Sequence, residues 1–512
     1  METMKNSILL AVDLGTSFIK TGAYAIDSKC IACASEPVSY EKPATGIFLQ
    51  YGEQLFQSVV NCIKKTVMEL KDQSSQIEAI AFTGQMAGFM GVDQNWNDIT
   101  TWSCSLDTRY TPYAVRQQRQ FSKDFLEISG TNAPLMCAKY EWFKSEFPEK
   151  ASKIVKYVMI SGYVIGRLGE VPIEEATIDG SYVTWSGMGD VKNKQWSRKI
   201  CDQIGIDMKL LPKIVDSNTI CGRLSQRMAE ELGLKSGLPL VSGAGDKVAG
   251  CVGAGILDFG DMIFEAASYG GFSCMVEDFR PDKEEHYFDI ITSAQKGSFY
   301  AHKYIQGSGI TLDWFIDNFV VSESLDKKAA FKLIDELAGK VAPGSDGILA
   351  IGLLGGSAIP FDSAMKGLWM GHNWSHGKGH LYRALLESFS YDLALTIDRV
   401  ETSYPEYCLD SVKLIGGGAK SRVWAQIMAD ITGKLFMRLN REDVALWGAA
   451  ILAGNAVGIF HDIKRVSREY VNIQEIFEPD MDKNRKYQKY KRLYRDFTRE
   501  LHDFYVRLEN LK

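Results

Sequence analysis

The sequence has no stretch that could cross a bilayer as a helix, because no apolar run reaches the roughly 18 residues that a span requires. Residues 1–6 lead straight into a strand-like run, without the hydrophobic stretch or small-residue cleavage site of a secretory leader. There is no large charge of either sign. A net charge of −6 over 512 residues supplies no basic face for nucleic acid. The ten cysteines follow no framework spacing, so a reducing compartment and a cytoplasmic location are expected. Cys30 and Cys33 have C-x-x-C spacing, but no second pair completes a zinc site, and they are read as two strand residues. No low-complexity linker divides the chain. No membrane or nucleic-acid partner is expected.

What is present has the composition of an ordinary enzyme, nearly half apolar and a quarter charged. A chain of 512 residues is too long for one core, and two domains of about 250 residues each are expected. The first readable unit is a β-branched and aliphatic run over 7–12. Extended runs over 18–26 and 31–35 follow, separated by tight turns, which reads as an antiparallel meander. An amphipathic helix over 54–70 carries Leu55, Val59, Ile63 and Val67 on one stripe. A buried strand over 77–83 ends at Gly84.

The second half repeats part of this plan. Strands over 261–266 and 272–276 flank a turn at Ser268-Tyr269-Gly270-Gly271. A strand over 412–415 ends in Gly416-Gly417-Gly418, then a helix over 421–431 and a strand over 435–439 follow. The repeat is one of pattern, and it suggests internal duplication. The boundary falls at 255–260. The last thirty residues read as one amphipathic helix with a solvated face of mixed charge.

Three segments could carry chemistry. In Asp13-Leu14-Gly15-Thr16-Ser17, glycine and hydroxyl residues after a strand leave backbone N–H groups free for an anion. An aspartate there repels phosphate, so its sensible partner is hydrated Mg²⁺. In Gly245-Asp246-Lys247, the aspartate falls at or near a helix N-cap, where a fixed carboxylate can accept a hydroxyl proton during phosphoryl transfer. Gly416-Gly417-Gly418-Ala419-Lys420-Ser421 lets a flat ring lie on the backbone or a helix N-terminus meet phosphate. Each has a plainer reading as a hairpin turn, a cap or a loop.

Taken in order, these segments resemble the FGGY carbohydrate kinases along essentially the whole chain. The resemblance also rests on Thr83-Gly84-Gln85-Met86, Leu106-Asp107-Thr108-Arg109, Lys139 to Phe143, Gly367 to Gly371 and His380 to Glu387. It implies an α/β fold of two ribonuclease H-like lobes, of the actin and hexokinase superfamily, flanking a catalytic cleft. Residues 1–256 would form the sugar-binding lobe with the catalytic base, and 257–512 the ATP-binding lobe. It implies Asp246 as the base and Asp13 as its catalytic companion, with both near Mg²⁺. Gly15, Thr16, Ser17 and Lys20 would meet phosphate in the first lobe, and Ser268 and Gly270 in the second. Gly417, Gly418, Ala419 and Ser421 would meet the nucleotide. Gln85, Met86, Asp107, Arg109 and Lys247 would line the sugar pocket. ATP and Mg²⁺ are the expected cofactors, a small sugar or polyol is the expected substrate, and a homodimer is a family-level expectation.

The chain departs from the family pattern in four places, one of them His372, which replaces an aliphatic residue in the signature around Gly371. Ala87 stands where a histidine is usual, Lys247 where an asparagine is usual, and Ser268-Tyr269 where a smaller phosphate loop is usual. The expected activity is transfer of the γ-phosphate of ATP to a terminal hydroxyl of a pentulose such as xylulose. Ribulose, a tetritol or a glycerol-like polyol are alternatives, as are a non-catalytic sugar- or nucleotide-sensing relative and an actin- or chaperone-like ATPase. His372, His376 and His380 recur every four residues, but Gly377 and Gly379 interrupt any helix that would align them as metal ligands.

Overall fold

The computed structural model describes residues 6–133, 135–322 and 325–511. The leader reading of residues 1–5 lies outside the described residues. The first sheet begins as the expected meander: β1 (Ile8–Leu14), β2 (Phe18–Ala25) and β3 (Cys30–Pro37), each antiparallel to its neighbour. Cys30 and Cys33 are strand residues, and all ten cysteines are free. Helix α1 (Gly52–Leu70) buries the predicted stripe of Leu55, Val59, Ile63 and Val67. Strand β4 (Ile77–Gly84) returns parallel to β1. Two strands from much later in the chain, β5 (Ile220–Arg223) and β6 (Pro239–Gly245), extend the sheet beyond β4. The order is β5-β6-β4-β1-β2-β3. The apolar run of β1 is buried on both faces, as a central strand covered on two sides requires.

Helix α2 (Asp246–Gly253) follows β6 directly and leads to the second sheet. That sheet contains β7 (Met262–Glu265), β8 (Gly270–Val276), β9 (Asp289–Thr292) and β10 (Phe299–Ile305). After helix α3 (Lys378–Ser403) come β11 (Ser411–Ile415), helix α4 (Arg422–Thr432) and β12 (Leu435–Leu439). Helix α5 (Val444–Ala456) and β13 (Ile473–Phe477) complete this part. The order is β9-β10-β8-β7-β11-β12-β13. Strands β7, β8 and β10 repeat the meander of β1, β2 and β3. Strands β11 and β12 lie parallel to β7 as β4 and β6 lie parallel to β1. Both parallel runs end on an antiparallel edge strand, β5 and β13. The duplication suggested by pattern is therefore a duplication of sheet plan.

One helix crosses between the lobes. Helix α5 packs Leu446, Trp447 and Ala450 on the face of the first sheet formed by Leu9, Ala11, Ala79, Ala81 and Val241. It also touches α2 backbone to backbone. A Cβ on Gly253 would lie 1.9 Å from the Val444 carbonyl oxygen, and one on Gly448 would lie 1.8 Å from that of Ala249. A cut of the chain at 256 thus leaves one later helix in the packing of the first sheet. The C-terminal stretch is two helices rather than the single one expected: α6 (Met481–Glu500) and α7 (His502–Glu509) divide at Leu501. The turn lets Tyr505 bury its ring and donate to the Lys366 carbonyl at 2.6 Å. His372 and His376 precede α3, whose N-cap is Gly377, so the three histidines share no helix.

Candidate functional site

The ends of β1, β6 and β7 converge on one cleft of about 380 Å³, where Asp13, Asp246 and Glu265 meet Lys20 and Lys247. Asp13 stands opposite Lys20 in the β1–β2 hairpin. The turn between them is too tight for a side chain at Gly15, where a Cβ would lie 2.6 Å from the Phe18 carbonyl oxygen. The Thr16 carbonyl accepts from Gln50 Nε2 at 2.9 Å, and its hydroxyl faces Gln85 Oε1 at 3.4 Å. Ser17 is exposed beside it.

Asp246 is the first residue of α2, one position past its Gly245 N-cap. Its Oδ1 accepts from the Lys247 backbone N–H at 2.8 Å. The backbone before it is fixed by residues that no motif announced. Gly245 N–H donates to Ser181 Oγ at 2.8 Å, and that hydroxyl donates to Asp179. Asp179 also accepts from Ser181 N–H at 2.9 Å and from Ser217 Oγ at 2.8 Å. All three side chains are buried. In sequence, Asp179-Gly180-Ser181 reads only as a turn.

Asp13 and Asp246 both hold their protons more tightly than an ordinary carboxyl. Burial pushes the Asp13 carboxyl up to about 7, with Asp246 and Glu265 adding to the rise and Lys20 and Lys247 opposing it. Burial also raises Asp246; the Lys247 ammonium opposes this and Glu265 adds to it. Burial works against the Lys247 ammonium, but Glu265, with which it pairs across the cleft, and Asp246 together hold it charged. Lys247, expected at the sugar, therefore has its ammonium on a carboxylate of the other lobe. Among the described residues no group of three or more His, Cys, Asp or Glu could cage a metal. Mg²⁺ seldom needs one, since it binds through one or two carboxylates together with substrate phosphates.

The second lobe supplies two loops. The Ala267 and Ser268 carbonyls accept from Gly309 and Ile310 N–H at 3.0 and 2.9 Å, which leaves Ser268 exposed above the helix Ser308–Phe319. Gly270 begins β8 against Ser308. After β11, Gly416 has φ +92°, and a Cβ there would lie 2.7 Å from the Ala266 carbonyl oxygen. Gly418 N–H donates to that oxygen at 2.7 Å. Gly417 faces open space, with nothing within 4 Å of its Cβ position, so a flat group can approach the backbone there. Ala419 is buried beneath. Ser421 turns away from this loop: its hydroxyl caps α4 by accepting from Trp424 N–H at 3.1 Å.

The expected sugar residues separate into two groups. Gln85 N–H donates to the Leu14 carbonyl at 3.2 Å, and its side-chain Nε2 is buried without a partner. An unmet buried donor of this kind lacks a partner within the fold, and a ligand oxygen would supply one. Met86 packs on Gly245, just before Asp246. Arg109 lies apart from these, on a smaller recess of about 140 Å³ that Lys139 and Trp142 also line, with Asp107 buried behind it. Asp107 is fully buried and grips Arg109 at Nε and Nη2, both 2.8 Å, while accepting from Ser103 Oγ at 3.1 Å. The guanidinium lies 4.6 Å over the Trp142 ring. Lys139 donates to the carbonyls of Ser103 and Cys104 at 2.6 and 2.8 Å, and burial pushes its amine down to about 8.

Comparison with known proteins bears on the whole assembly. Residues 8–253 match the N-terminal domain of the FGGY family of carbohydrate kinases, and 267–457 match its C-terminal domain. The chain is 26% identical over 511 residues to a xylulose kinase of Bacillus subtilis, covering 98% of this chain and 99% of that protein. It is 25% identical to a gluconokinase of Bacillus licheniformis, with 98% of each covered. The fold superposes on the crystal structure of a xylulose kinase from Lactobacillus acidophilus with a TM-score of 0.89, at 20% identity, covering 98% of this chain and 100% of that one.

Proposed function

The chain belongs to the FGGY family of carbohydrate kinases, and from that premise we propose that its acceptor is a small ketose, a pentulose such as xylulose, phosphorylated at a terminal hydroxyl. The protein is an ATP-dependent carbohydrate kinase, with two actin- and hexokinase-like lobes about one cleft. The observation that carries the reading is the carboxylate of Asp246, fixed at the start of α2 where both lobes meet. Asp246 accepts the proton of the acceptor hydroxyl as the γ-phosphoryl group leaves ATP. Its raised proton affinity suits a base working near neutral pH.

Asp13 serves the phosphate side. Asp13, Asp246 and Glu265 crowd one cleft, where burial and neighbouring carboxylates raise Asp13 and Asp246, and a hard divalent cation relieves that crowding, so the donor set fits Mg²⁺ held by Asp13 and Asp246. Bound with ATP, Mg²⁺ supplies charge neutralisation at the β- and γ-phosphate oxygens. The backbone around Gly15 to Ser17, together with Ser268 and Gly270, cradles phosphate, with Lys20 nearby, and Gly417 to Ala419 receives the nucleoside. Gln85 offers its unmet amide donor to the acceptor. Met86 shapes the floor, while the Asp107–Arg109 pair sets the wall behind.

The relative named xylulose kinase supports a pentulose, and the relative named gluconokinase keeps a six-carbon acid as the second reading. A coupled assay for ADP release with D-xylulose, D-ribulose, erythritol, glycerol and D-gluconate tests this. The highest kcat/KM is expected with D-xylulose. A clear preference for D-gluconate would overturn the pentulose, and no turnover with any of them would overturn the whole acceptor class.

A further inference from the structure

The second sheet carries a stacked aromatic pair next to the strand residues that line this cleft. Glu265 of β7 pairs in register with Gly271 of β8, and Gly271 pairs with Tyr304 of β10. Residues directly opposite on adjacent strands send their side chains to the same face. This row therefore carries a carboxylate, a gap and a phenol. Lys247 of the first lobe enters the gap, its Cδ lying 3.6 Å from the position of a Cβ on Gly271. Tyr304 occupies the far end of the row.

Tyr304 is held on two sides. Tyr269, in the turn between β7 and β8, stacks on it with ring centroids 5.6 Å apart and planes inclined by 21°. Trp185 meets its edge at 6.5 Å and 69°, and is itself anchored by Nε1 donating to Asp289 at 2.8 Å. These spacings are those of favourable aromatic pairs. Burial raises both phenols, so both stay neutral. Tyr269, Asp246, Glu265 and Tyr110 add to the rise at Tyr304, and Cys104 adds to it at Tyr269. The row that ends in Tyr304 begins with Glu265 and Gly271, both of which line the cleft, so the stacked pair stands beside it. A turn that only hugged phosphate would have no use for a phenol. A phenol there gives an apolar face to the carbon chain of an acceptor and keeps water from the base.

We propose that Tyr269 and Tyr304 are the acceptor wall contributed by the second lobe, and that they restrict the acceptor to a short open-chain polyol or ketose. This rests on the kinase reading above and names what sets the size of its acceptor. The wall forms only where the lobes meet, so it also couples acceptor fit to closure.

Three variants test it: Tyr269→Ser, Tyr269→Phe and Tyr304→Phe, assayed with D-xylulose, D-fructose and D-gluconate. Tyr269→Ser is expected to raise KM for D-xylulose about tenfold and to shift kcat/KM about tenfold toward the six-carbon acceptors. KM for ATP stays unchanged. Tyr269→Phe and Tyr304→Phe keep the stack and retain the preference of the unaltered protein. A raised KM for ATP with an unaltered acceptor preference would move Tyr269 to the phosphate side and overturn the proposal. If the unaltered protein turns over none of the three, the acceptor reading fails separately. The wall is then read through ATP hydrolysis without acceptor, which Tyr269→Ser raises severalfold by admitting water; an unchanged hydrolysis rate would overturn the wall itself.

Discussion

Two hairpins open the two sheets, and they occupy matching places. Asp13 lies one residue before the end of β1, beside Thr83, which precedes Gly84; Glu265 ends β7 beside Ile415, which precedes Gly416. Gly84 and Gly416 both have positive φ, and a Cβ on either would strike a carbonyl of the matching turn, at 2.6 Å for Leu14 and 2.7 Å for Ala266. The difference lies across each hairpin. Asp13 faces Lys20 of its own hairpin, whereas Glu265 faces Gly271 and takes its cation, Lys247, from the other lobe. The same backbone plan thus yields one carboxylate left open to a ligand and one already spent on joining the lobes. Duplication supplies the frame, and one glycine-for-lysine difference divides the labour.

The largest effect is expected at the residue that neither hairpin supplies. Asp246→Ala should cut acceptor phosphorylation by about 10³-fold or more, because it removes the base, while ADP binding measured by calorimetry without Mg²⁺ stays as it was. Normal turnover in that variant would remove Asp246 from the chemistry. The hairpins come next, and the comparison predicts opposite signs in stability. Asp13→Asn should lower kcat about 10²-fold yet raise Tm at pH 8 in metal-free protein, since it removes a buried charge with incomplete compensation. The folded carboxyl titrates near 7, above its ordinary 3.8, so ionisation destabilises the fold fully above pH 7 and not at all below 3.8. The gain in Tm should accordingly shrink as pH falls through that window. Glu265→Gln should lower Tm instead, by at most about 3 kcal/mol of stability, because it strands the Lys247 ammonium. That carboxylate is 31% exposed, which keeps the loss below that of a fully buried pair. If both variants moved Tm in one direction, the division between the hairpins would fail.

Much of this was legible in the sequence, for local reasons. The β1–β2–β3 meander, α1 and the turns at Gly15 and Gly416 follow from alternation, helical spacing and glycine at positions where a side chain would strike backbone. Asp13 and Asp246 stand at strand ends where motif order put them, and the family resemblance holds across both lobes. What escaped depends on contacts between distant segments. Strands β5 and β6 join the first sheet after more than a hundred intervening residues, and α5 packs on that sheet although it lies between two strands of the second. The apolar stretch of α5 carries no mark of which sheet it will cover. Lys247 sits beside Asp246 in sequence, but its partner Glu265 becomes visible only when the lobes are placed. Ser421 looked like part of the glycine loop because it adjoins it, whereas the first turn of α4 claims its hydroxyl.

The smallest effect we predict comes from that hidden class. Ser181 accepts from Gly245 N–H and donates to Asp179, so it holds the backbone one residue before Asp246. Ser181→Ala removes both bonds but no charge, and Asp179 keeps the Ser181 N–H and Ser217 bonds. The stability cost is therefore that of one buried backbone donor left unmet, about 1–3 kcal/mol. The kinetic cost is a base free to drift, expected at about tenfold in kcat with KM for ATP and acceptor unchanged. A loss confined to Tm, with kcat intact, would mean that Asp246 is held by the start of α2 alone and that Ser181 serves only the fold. A rise in KM for ATP would mean that the network steadies the β1 and β4 ends of the same sheet, which would tie the first hairpin to the base more closely than the division between Asp13 and Glu265 allows.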